Sequence, residues 1–337
     1  FIEYSESLDS AGGNSWGLKA VVEEDGELID LDTDEPFNKY QSDFKRYSIS
    51  TDKAFEVYVG EWIPFPIFRL AGSLHSSEHR FRGGPTNWCR ARLAKDISFG
   101  EAEDHYILTL VFDTNVEAIN PYSSSGYAAL SQKDVDEGAE FAFAYKFKDL
   151  KPFLGHQWVR DWLLTLFEDH YRRKFPKKKK IEHEFLTEYL ARYVAFLDII
   201  NSLNIIPSIK VIDPKRSVAI DVDLVIDIGN ARTIGMLIEK PQGEDLTLTN
   251  GATLELRDLS SSYYKKYTGT FSSNICFAKA DLGDQNGYSR GSGRTRTPFV
   301  WPSVVRVGQE AHELSMISRR DQGQTSLSSP KRYLWAV

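Results

Sequence analysis

The chain has 337 residues, a formal net charge of −7, and 41% hydrophobic against 26% charged residues, values typical of a globular protein with room for two domains. The negative charge argues against general attraction to nucleic acid or an anionic membrane, and no apolar run reaches the roughly 20 residues of a membrane-spanning helix. Cys89 and Cys276 have no Cys or His at zinc-ligand spacing, which predicts neither a disulfide framework nor a zinc site and favours a reducing cytoplasm.

The first 50 residues mix serine, glycine and acids, and they predict a surface or sheet edge with short strands at 21–22 and 28–29. Within the acidic stretch 23–35, Asp30, Asp32 and Asp34 have the alternate spacing of the first ligands in a calcium loop. Such a loop needs glycine at its sixth position, where Glu35 stands, so a solvated acidic face is favoured over a calcium site. Phe1 is not an initiator methionine and no signal peptide follows it, so we expect the natural start to be missing.

The next segment is predicted to be rich in β-structure. Residues 55–59 alternate apolar and polar side chains as a half-buried strand does, and 62–68 contain two prolines that favour an extended, packed segment. Residues 88–93 and 106–112 are predicted strands, the second of the buried kind. Before these two strands, His75 and His79 are four residues apart in a polar stretch, which favours a surface loop over a metal site.

Two helices are predicted from apolar residues at helical spacing in 158–167 and 185–203, and both apolar faces indicate core. Between them, seven of the nine residues in 172–180 are basic. This run is either a solvated connection broken at Pro176 or a docking patch for an acidic partner or nucleic acid, and its role stays open. We predict a domain boundary near Pro214.

A β-hairpin is predicted from residues 223–227 and 233–238, which are rich in β-branched and apolar side chains and flank a turn with Gly229 and Asn230. Candidate third-strand residues are 246–249 and 252–256. A stretch at 260–297, rich in Ser, Gly, Tyr and Lys, is predicted as a mobile or functional loop whose role stays open. Its 291–296 segment is either a flexible tether or a basic loop facing phosphate.

The hairpin turn carries the residue types of a phosphate and magnesium site. A carboxylate, Asp227, stands at the end of a strand, Gly229 follows two residues on, and the Thr233 hydroxyl comes four residues after the glycine. Backbone N–H groups of such a turn can face phosphate while the acid holds hydrated magnesium. The same residues also serve ordinary turn geometry, so both interpretations remain open.

Three stretches in order resemble known families. Asp227, Gly229 and Thr233 match the Asp-x-Gly-x-x-x-Thr/Ser first phosphate motif of the actin-like, DnaK-type ATPase superfamily. Residues 296–308 resemble the chaperone stretch in which a Thr-Pro-Ser turn leads into a strand, and 328–335 resemble the stretch with a catalytic lysine. Together they resemble most closely the N-terminal portion of the bacterial SrfB virulence-factor family.

The resemblance implies an α/β fold in two parts. A mixed β-rich and helical N-terminal domain would occupy 1–214, and 215–337 would form the incomplete first lobe of an actin-like ATPase domain with an antiparallel phosphate-binding hairpin. The second phosphate motif and the adenosine-binding glycines are expected beyond residue 337, so residues 1–337 alone are expected to bind ATP negligibly.

The truncation also implies uncovered apolar surface on the hairpin. Val225, Ile234, Met236 and Ile238 are expected to pack against another chain or a missing segment.

The resemblance also assigns roles to site residues for the cofactors ATP and Mg²⁺. Asp227 would hold the magnesium through water and act with Lys331, which stabilises charge on the transferred phosphoryl group. The remaining cofactor-binding residues would be those of the turn and the start of the second strand: Gly229, Asn230, Arg232 and Thr233. The alternative for Lys331 is a salt-bridged loop end.

The implied function is a cytoplasmic bacterial ATP-binding protein, chaperone-like, that couples Mg-ATP binding or hydrolysis to action on a protein partner or assembly. Whether it is an ATPase stays open, because Asn230 and Ala231 replace hydroxyl residues common in chaperones and Arg232 puts a bulky cation beside the turn. These departures favour the alternative of a catalytically inactive actin-like scaffold or assembly module. A small-molecule kinase is a third possibility.

Overall fold

The fold is that of a computed structural model, which describes residues 2–8, 16–24, 27–30, 35–36, 46–71, 80–81, 88–96, 105–114, 116–117, 130–176, 188–213, 215, 220–239, 251–257, 266–278, 282, 303–317 and 325–334. The described residues of 1–95 and 110–212 form one compact unit, and those of 96–109, 213–282 and 300–337 form a second. Helices and antiparallel sheets occur together, which confirms the predicted mixed α/β class.

The first unit begins with a five-stranded antiparallel sheet of strand order β4-β3-β2-β1-β5. Its strands are β1 (Ile2–Leu8), β2 (Trp16–Glu24), β3 (Glu27–Asp30), β4 (Glu35–Pro36) and β5 (Arg46–Ile49). The predicted strand residues 21–22 and 28–29 lie in β2 and β3 and pair with each other, Val22 opposite Ile29. The described residues of the acidic 23–35 stretch therefore lie in paired strands.

A short helix, α1 (Thr51–Phe55), followed by a turn, takes the place of the strand predicted at 55–59. The Ser50 hydroxyl caps the helix by accepting the backbone N–H of Lys53 at 3.3 Å. Ala54 and Tyr58, four residues apart, are both fully buried, so this segment buries side chains at helical rather than strand spacing. The prediction of a strand at 55–59 was wrong, since tertiary burial overrode the local alternation.

Four strands follow, β6 (Trp62–Pro64), β7 (Ile67–Arg69), β8 (Cys89–Lys95) and β9 (Tyr106–Phe112). The predicted extended segment at 62–68 and both predicted strands are confirmed. β9 is half-buried along its length rather than buried, because it lies at the edge of the β6-β8-β9 sheet with one strand neighbour.

The rest of the first unit is mainly helical. Its elements are the parallel pair β10 (Val116–Glu117) and β11 (Leu130–Ser131), then α2 (Gln132–Glu137), β12 (Glu140–Phe143), α3 (Phe147–Gly155), α4 (Gln157–Lys174), α5 (Glu188–Ser202) and β13 (Ile209–Lys210). Both predicted helices are confirmed in α4 and α5. Strands β13, β12 and β7 form a three-stranded antiparallel sheet.

Aromatic side chains fill the core of this unit. The Tyr193 hydroxyl of α5 donates to the backbone oxygen of Pro64 at 2.5 Å, and the Tyr58 hydroxyl donates to the oxygen of Tyr189 at 3.1 Å. Both tyrosines are fully buried, and burial raises the pKa of each phenol far above its usual range. These two phenols therefore act as neutral hydrogen-bond donors that tie α5 to the strands.

The start of the basic run belongs to α4 and pairs with acids. Arg172 bonds to Glu168 at 2.8 Å, Arg173 bonds to Glu61 at 3.1 Å, and Lys174 bonds to Glu56 at 2.8 Å. The helix ends at Lys174, two residues before Pro176. These three cations take part in intramolecular pairs, whereas the four lysines at 177–180 lie outside the described residues.

We expect stability to depend on pH through Glu56, which accepts hydrogen bonds from Arg192 at 2.7 Å and Lys174 at 2.8 Å. Burial acts to raise the pKa of this carboxyl, but the two cations outweigh it and hold the pKa below the ordinary 4.5. A lowered folded pKa contributes stability above pH 4.5, and this contribution is lost as pH falls through the folded value.

The Glu56→Gln variant should therefore be less stable than the wild type at pH 7, by about 1 kcal/mol, and the difference should shrink toward pH 3. Urea unfolding at several pH values measures it. Glu168→Gln, which removes the more exposed pair with Arg172 within α4, is the control and should change stability by less. A constant difference between wild type and Glu56→Gln from pH 7 to pH 3 would contradict this prediction.

The second unit contains the predicted hairpin. Its elements are β14 (Val222–Ile228), β15 (Arg232–Glu239), β16 (Gly251–Thr253), β17 (Leu256–Arg257), β18 (Lys266–Tyr267), β19 (Thr270–Ser272), β20 (Asn274–Phe277), β21 (Val305–Val307), α6 (Gly308–Ile317), β22 (Thr325–Ser328) and α7 (Lys331–Leu334). β14 and β15 pair antiparallel from Val222 opposite Glu239 to Ile228 opposite Thr233, which confirms the hairpin.

Strand β15 has further partners along its length. β16 pairs with one end and contains 252–253 of the predicted third strand, while β19 pairs with the other end, Arg232 opposite Ser272. The other candidate third-strand residues, 246–249, lie outside the described residues. β17 pairs with β18, and β21, β20 and β22 form a separate antiparallel sheet.

The prediction of one long loop at 260–297 was wrong, because residues 266–277 form β18, β19 and β20. Apolar residues that support these strands, Phe271, Ile275 and Phe277, are sparse among Ser, Gly and Lys, so the local pattern looked like a loop. Pairing to β15, β21 and β22 supplies the order that local propensity lacks.

The core of this unit is small. Cys276, Ala278 and Ala311 are buried together, with Leu314 packed against them. Arg306 and Glu310 form a buried ion pair at 3.2 Å between Nε and Oε1, which joins β21 to the first turn of α6. Across the described residues, none of the helices has the length and apolar character needed to cross a membrane.

Candidate functional site

The turn between β14 and β15 is tight at Gly229. Its backbone N–H donates to the backbone oxygen of Arg232 at 2.9 Å. A Cβ atom at Gly229 would lie 2.5 Å from that oxygen, closer than real Cβ contacts, so only glycine fits this position without a shift of the backbone. Asn230 and Ala231 form the exposed tip of the turn.

The two faces of the hairpin carry different site residues. Directly opposed residues of an antiparallel pair share a face, and neighbours along a strand alternate. Asp227 opposes Ile234 and Thr233 opposes Ile228, so the Asp227 carboxylate and the Thr233 hydroxyl stand on opposite faces. Asp227 is exposed, and within the described part of the chain no cation pairs with its carboxylate.

The Thr233 hydroxyl lies inside the unit. Only 9% of the residue is exposed, and its Oγ1 is 2.8 Å from the Oγ of Ser273, which is also buried. The backbone N–H of Ser273 donates to the oxygen of Ala231 at 3.0 Å. Thr233 therefore holds the hairpin against the β19–β20 connection.

Ser273 also contacts the segment that precedes Lys331. The backbone N–H of Ser329, a residue with a positive φ of 57°, donates to the oxygen of Ser273 at 3.2 Å. Lys331 then opens α7 two residues later and is half-buried. Ser273 thus joins the hairpin and the lysine segment, which are about a hundred residues apart in the chain. Sequence reasoning missed Ser273, because it lay within the predicted loop.

The carboxylates of the described residues form no group of three or more metal-binding side chains. Asp227 is therefore a single exposed acid at the turn. Magnesium is commonly held by one or two carboxylates, with waters and substrate phosphates as the other ligands. The single carboxylate at the turn is compatible with that mode of binding. Among the described residues the turn lacks the further carboxylates that a magnesium site made of protein ligands alone would need.

A pocket of about 440 Å³ lies beside the turn, within the second unit. Arg232 is the only predicted site residue in its wall; Asp227, Gly229, Asn230, Thr233 and Lys331 are not part of the wall. The other polar residues of the wall, which sequence reasoning missed, include Tyr267, Thr270, Ser272, Gln309 and His312. They come from β18, β19 and α6, elements whose proximity depends on strand pairing.

Several sequence predictions fall outside the described residues. They are the His75–His79 loop, the 291–296 basic segment and Trp301-Pro302 of the chaperone-like strand. The part of that strand that the structure describes is β21.

The fold and the turn define the class as a mixed α/β protein in two units, the second built around an antiparallel hairpin with an Asp-Ile-Gly-Asn turn. The chain belongs to the SrfB family: the family model described as "Virulence factor SrfB" matches residues 18–336. No curated protein and no solved structure matches the chain.

Proposed function

We propose that this SrfB-family chain contributes the phosphate-binding hairpin of an actin-like, ATP-binding protein of the bacterial cytoplasm that couples Mg-ATP to action on a protein partner. The observation that supports this proposal best is the junction at Ser273. Through it, the Asp227 hairpin and the segment carrying Lys331 are held together by the 2.8 Å hydroxyl contact and the 3.2 Å backbone hydrogen bond.

Each residue of the hairpin has a distinct part in the proposed site. Magnesium, when bound with ATP, would neutralise charge on the phosphates. The exposed Asp227 carboxylate would orient the waters of the ion, and the amides of Gly229 and Asn230 would face phosphate oxygens. Thr233 would assist by positioning the hairpin, since its hydroxyl is engaged with Ser273.

The two cations of the proposed site have separate roles. Arg232 lies beside the turn and would contact a phosphate oxygen with its guanidinium. The Lys331 ammonium has no acid partner among the described residues and would stabilise charge on a transferred phosphoryl group.

Equilibrium nucleotide binding to the full-length protein tests the proposal. Asp227→Asn should weaken magnesium-dependent ATP binding by about tenfold or more, since a charged contact is worth about 1.5–3 kcal/mol. Asp223→Asn is the control, because Asp223 lies on the same strand and face, four residues before Asp227 and farther from the turn. Unchanged magnesium-dependent affinity and hydrolysis in Asp227→Asn would show that the role assigned to Asp227 is wrong.

The second candidate function is an assembly module without turnover. Strand β14 is the edge of its sheet among the described strands, and its apolar residues are 43–54% exposed: Val222, Leu224, Val225 and Ile226. On the neighbouring strand Ile234 and Met236 are exposed too, at 41% and 38%. An uncovered apolar edge strand favours association with another polypeptide.

Oligomeric state separates the two candidates. If the protein is an assembly module, Leu224→Lys should shift sedimentation toward smaller species, while Asp227→Asn should leave sedimentation unchanged. If ATP drives the function, Asp227→Asn should abolish any nucleotide-dependent change in sedimentation. An assembly that persists in Leu224→Lys would argue against β14 as its interface.

A further inference from the structure

We infer that the pocket beside Arg232 binds a small phosphate ester without the help of magnesium. Its volume of about 440 Å³ lies within the range of roughly 300–1,000 Å³ of small-molecule sites. Inorganic phosphate would fill only a part of that space, which favours a phosphate carried on a small organic body.

The chemistry of the wall favours an anion. The wall carries one guanidinium, from Arg232, and one imidazole, from His312, and it contains no carboxylate. Hydroxyls of Thr270 and Ser272 add hydrogen-bond donors on the strand that pairs with Arg232. Guanidinium and hydroxyl groups together are the usual ligands of a phosphate group.

Arg232 is oriented toward this wall. Its Nη1 donates to the Thr270 hydroxyl at 3.2 Å, a contact between neighbouring strands. A guanidinium has five N–H donors in a planar fork, so this bond leaves four donors for a ligand. The Thr270 hydrogen bond therefore orients the guanidinium without occupying it fully.

The His312 side chain of α6 is held in place by Asn274 of β20. The amide nitrogen of Asn274 lies 2.9 Å from Nδ1 of His312 and donates to it, which places the imidazole proton on Nε2. His312 then serves as a second nitrogen donor in the wall. It belongs to α6, a ten-residue helix whose first turn contributes Gln309 to the same wall.

Two acids of α6 near the pocket are engaged with other side chains. Glu310 forms a buried ion pair with Arg306. Glu313 accepts from the Gln309 amide at 3.1 Å and the Tyr267 hydroxyl at 3.5 Å. Gln309 and Tyr267 are thus held in place by an acid, while the Arg232 and His312 donors remain for the ligand. Phe271 also lines the pocket.

The inference does not depend on the proposed nucleotide site, although Arg232 is common to both. The probe is ribose 5-phosphate in buffer with EDTA and no magnesium. Its binding is detected by ³¹P NMR of the ligand during titration with the protein. From the ligand efficiency of small molecules, the dissociation constant should be on the order of 1 mM. Unphosphorylated ribose, detected by saturation transfer, should not bind.

Variants locate the binding. Arg232→Ala and His312→Ala should each weaken ribose 5-phosphate binding by about tenfold, because each removes a charge-assisted or nitrogen donor to phosphate. Arg232→Lys should bind with intermediate affinity, since it keeps the charge and loses the planar fork. Lys215→Ala, which removes one exposed positive charge of the same unit outside the wall, is the charge-matched control and should bind as the wild type does.

Three results would overturn the inference. The first is no binding of ribose 5-phosphate at 10 mM, about tenfold above the expected dissociation constant. The others are wild-type affinity in both Arg232→Ala and His312→Ala, or binding of ribose as strong as that of ribose 5-phosphate. Because both side chains are exposed, their replacement should leave the fold intact, which circular dichroism verifies. The ATP test compares the wild type with Asp227→Asn in the presence of magnesium, and its result does not depend on whether ribose 5-phosphate binds. Failure of the pocket assignment is therefore distinguishable from failure of the proposed nucleotide site.

Discussion

Replacing Asp134 by alanine is expected to destabilise the first unit by about 3–5 kcal/mol. The Asp134 side chain is 1% exposed, and its Oδ1 lies 2.5 Å from Nη2 of Arg69. The Arg69 side chain is 12% exposed. The other carboxylate oxygen of Asp134 accepts the backbone N–H and the hydroxyl of Ser131, at 2.8 and 2.7 Å, in a capping box at the start of α2. Removing the carboxylate leaves a buried guanidinium without its charge partner, and it leaves the N–H and hydroxyl of the N-cap residue Ser131 without their acceptor.

Urea unfolding followed by tryptophan fluorescence measures this loss. Trp88 is a suitable reporter, because its ring packs on Phe141 at 4.6 Å and the Arg69 guanidinium lies 5.9 Å from the Phe141 ring. Asp134→Asn should be intermediate, since the amide oxygen can still accept the Ser131 N–H while the charge is lost.

Glu137→Ala on the same helix is the matched control for Asp134→Ala. Its pair with Lys133 is exposed at 3.6 Å, so its removal should change the free energy of unfolding by no more than about 0.5 kcal/mol. A loss under about 1 kcal/mol in Asp134→Ala would show that the ion pair with Arg69 adds little to stability.

The second large effect is expected at Gly229. An alanine Cβ would lie 2.5 Å from the Arg232 backbone oxygen, and the backbone would have to move because no flexible side-chain atom can yield. The hydrogen bond from Gly229 to Arg232 should break, with a cost of about 1–3 kcal/mol to the second unit. Amide hydrogen exchange over residues 222–239 should become faster, and the ATP binding that we propose for the full-length protein should be lost.

The control for Gly229→Ala is Gly155→Ala at the end of α3. Nothing lies within 4 Å of a Cβ atom there, and its φ is not in the left-handed region, so alanine should be neutral or stabilise by up to about 1 kcal/mol. Unchanged exchange of 222–239 in Gly229→Ala would mean that the turn tolerates a side chain and that its glycine is not required by close approach.

The sequence alone determined the elements whose signals are local. The hairpin at β14 and β15 was predictable because β-branched residues flank a Gly-Asn turn, and α4 and α5 were predictable because apolar residues recur at helical spacing. The membership of the SrfB family was also contained in the sequence, since the family model matches residues 18–336.

Only the tertiary structure decided which side chains meet. Thr233 was predicted to belong to the same phosphate and magnesium site as Asp227. Strand register puts its hydroxyl on the other face, against Ser273, forty residues later in the chain. The wall of the pocket likewise joins Arg232 to β19 and α6. Contacts between residues this far apart in the chain have no local sequence signal. The face on which a strand residue lies depends on the strand register, and the register is set by the neighbouring strands and the packing beneath them.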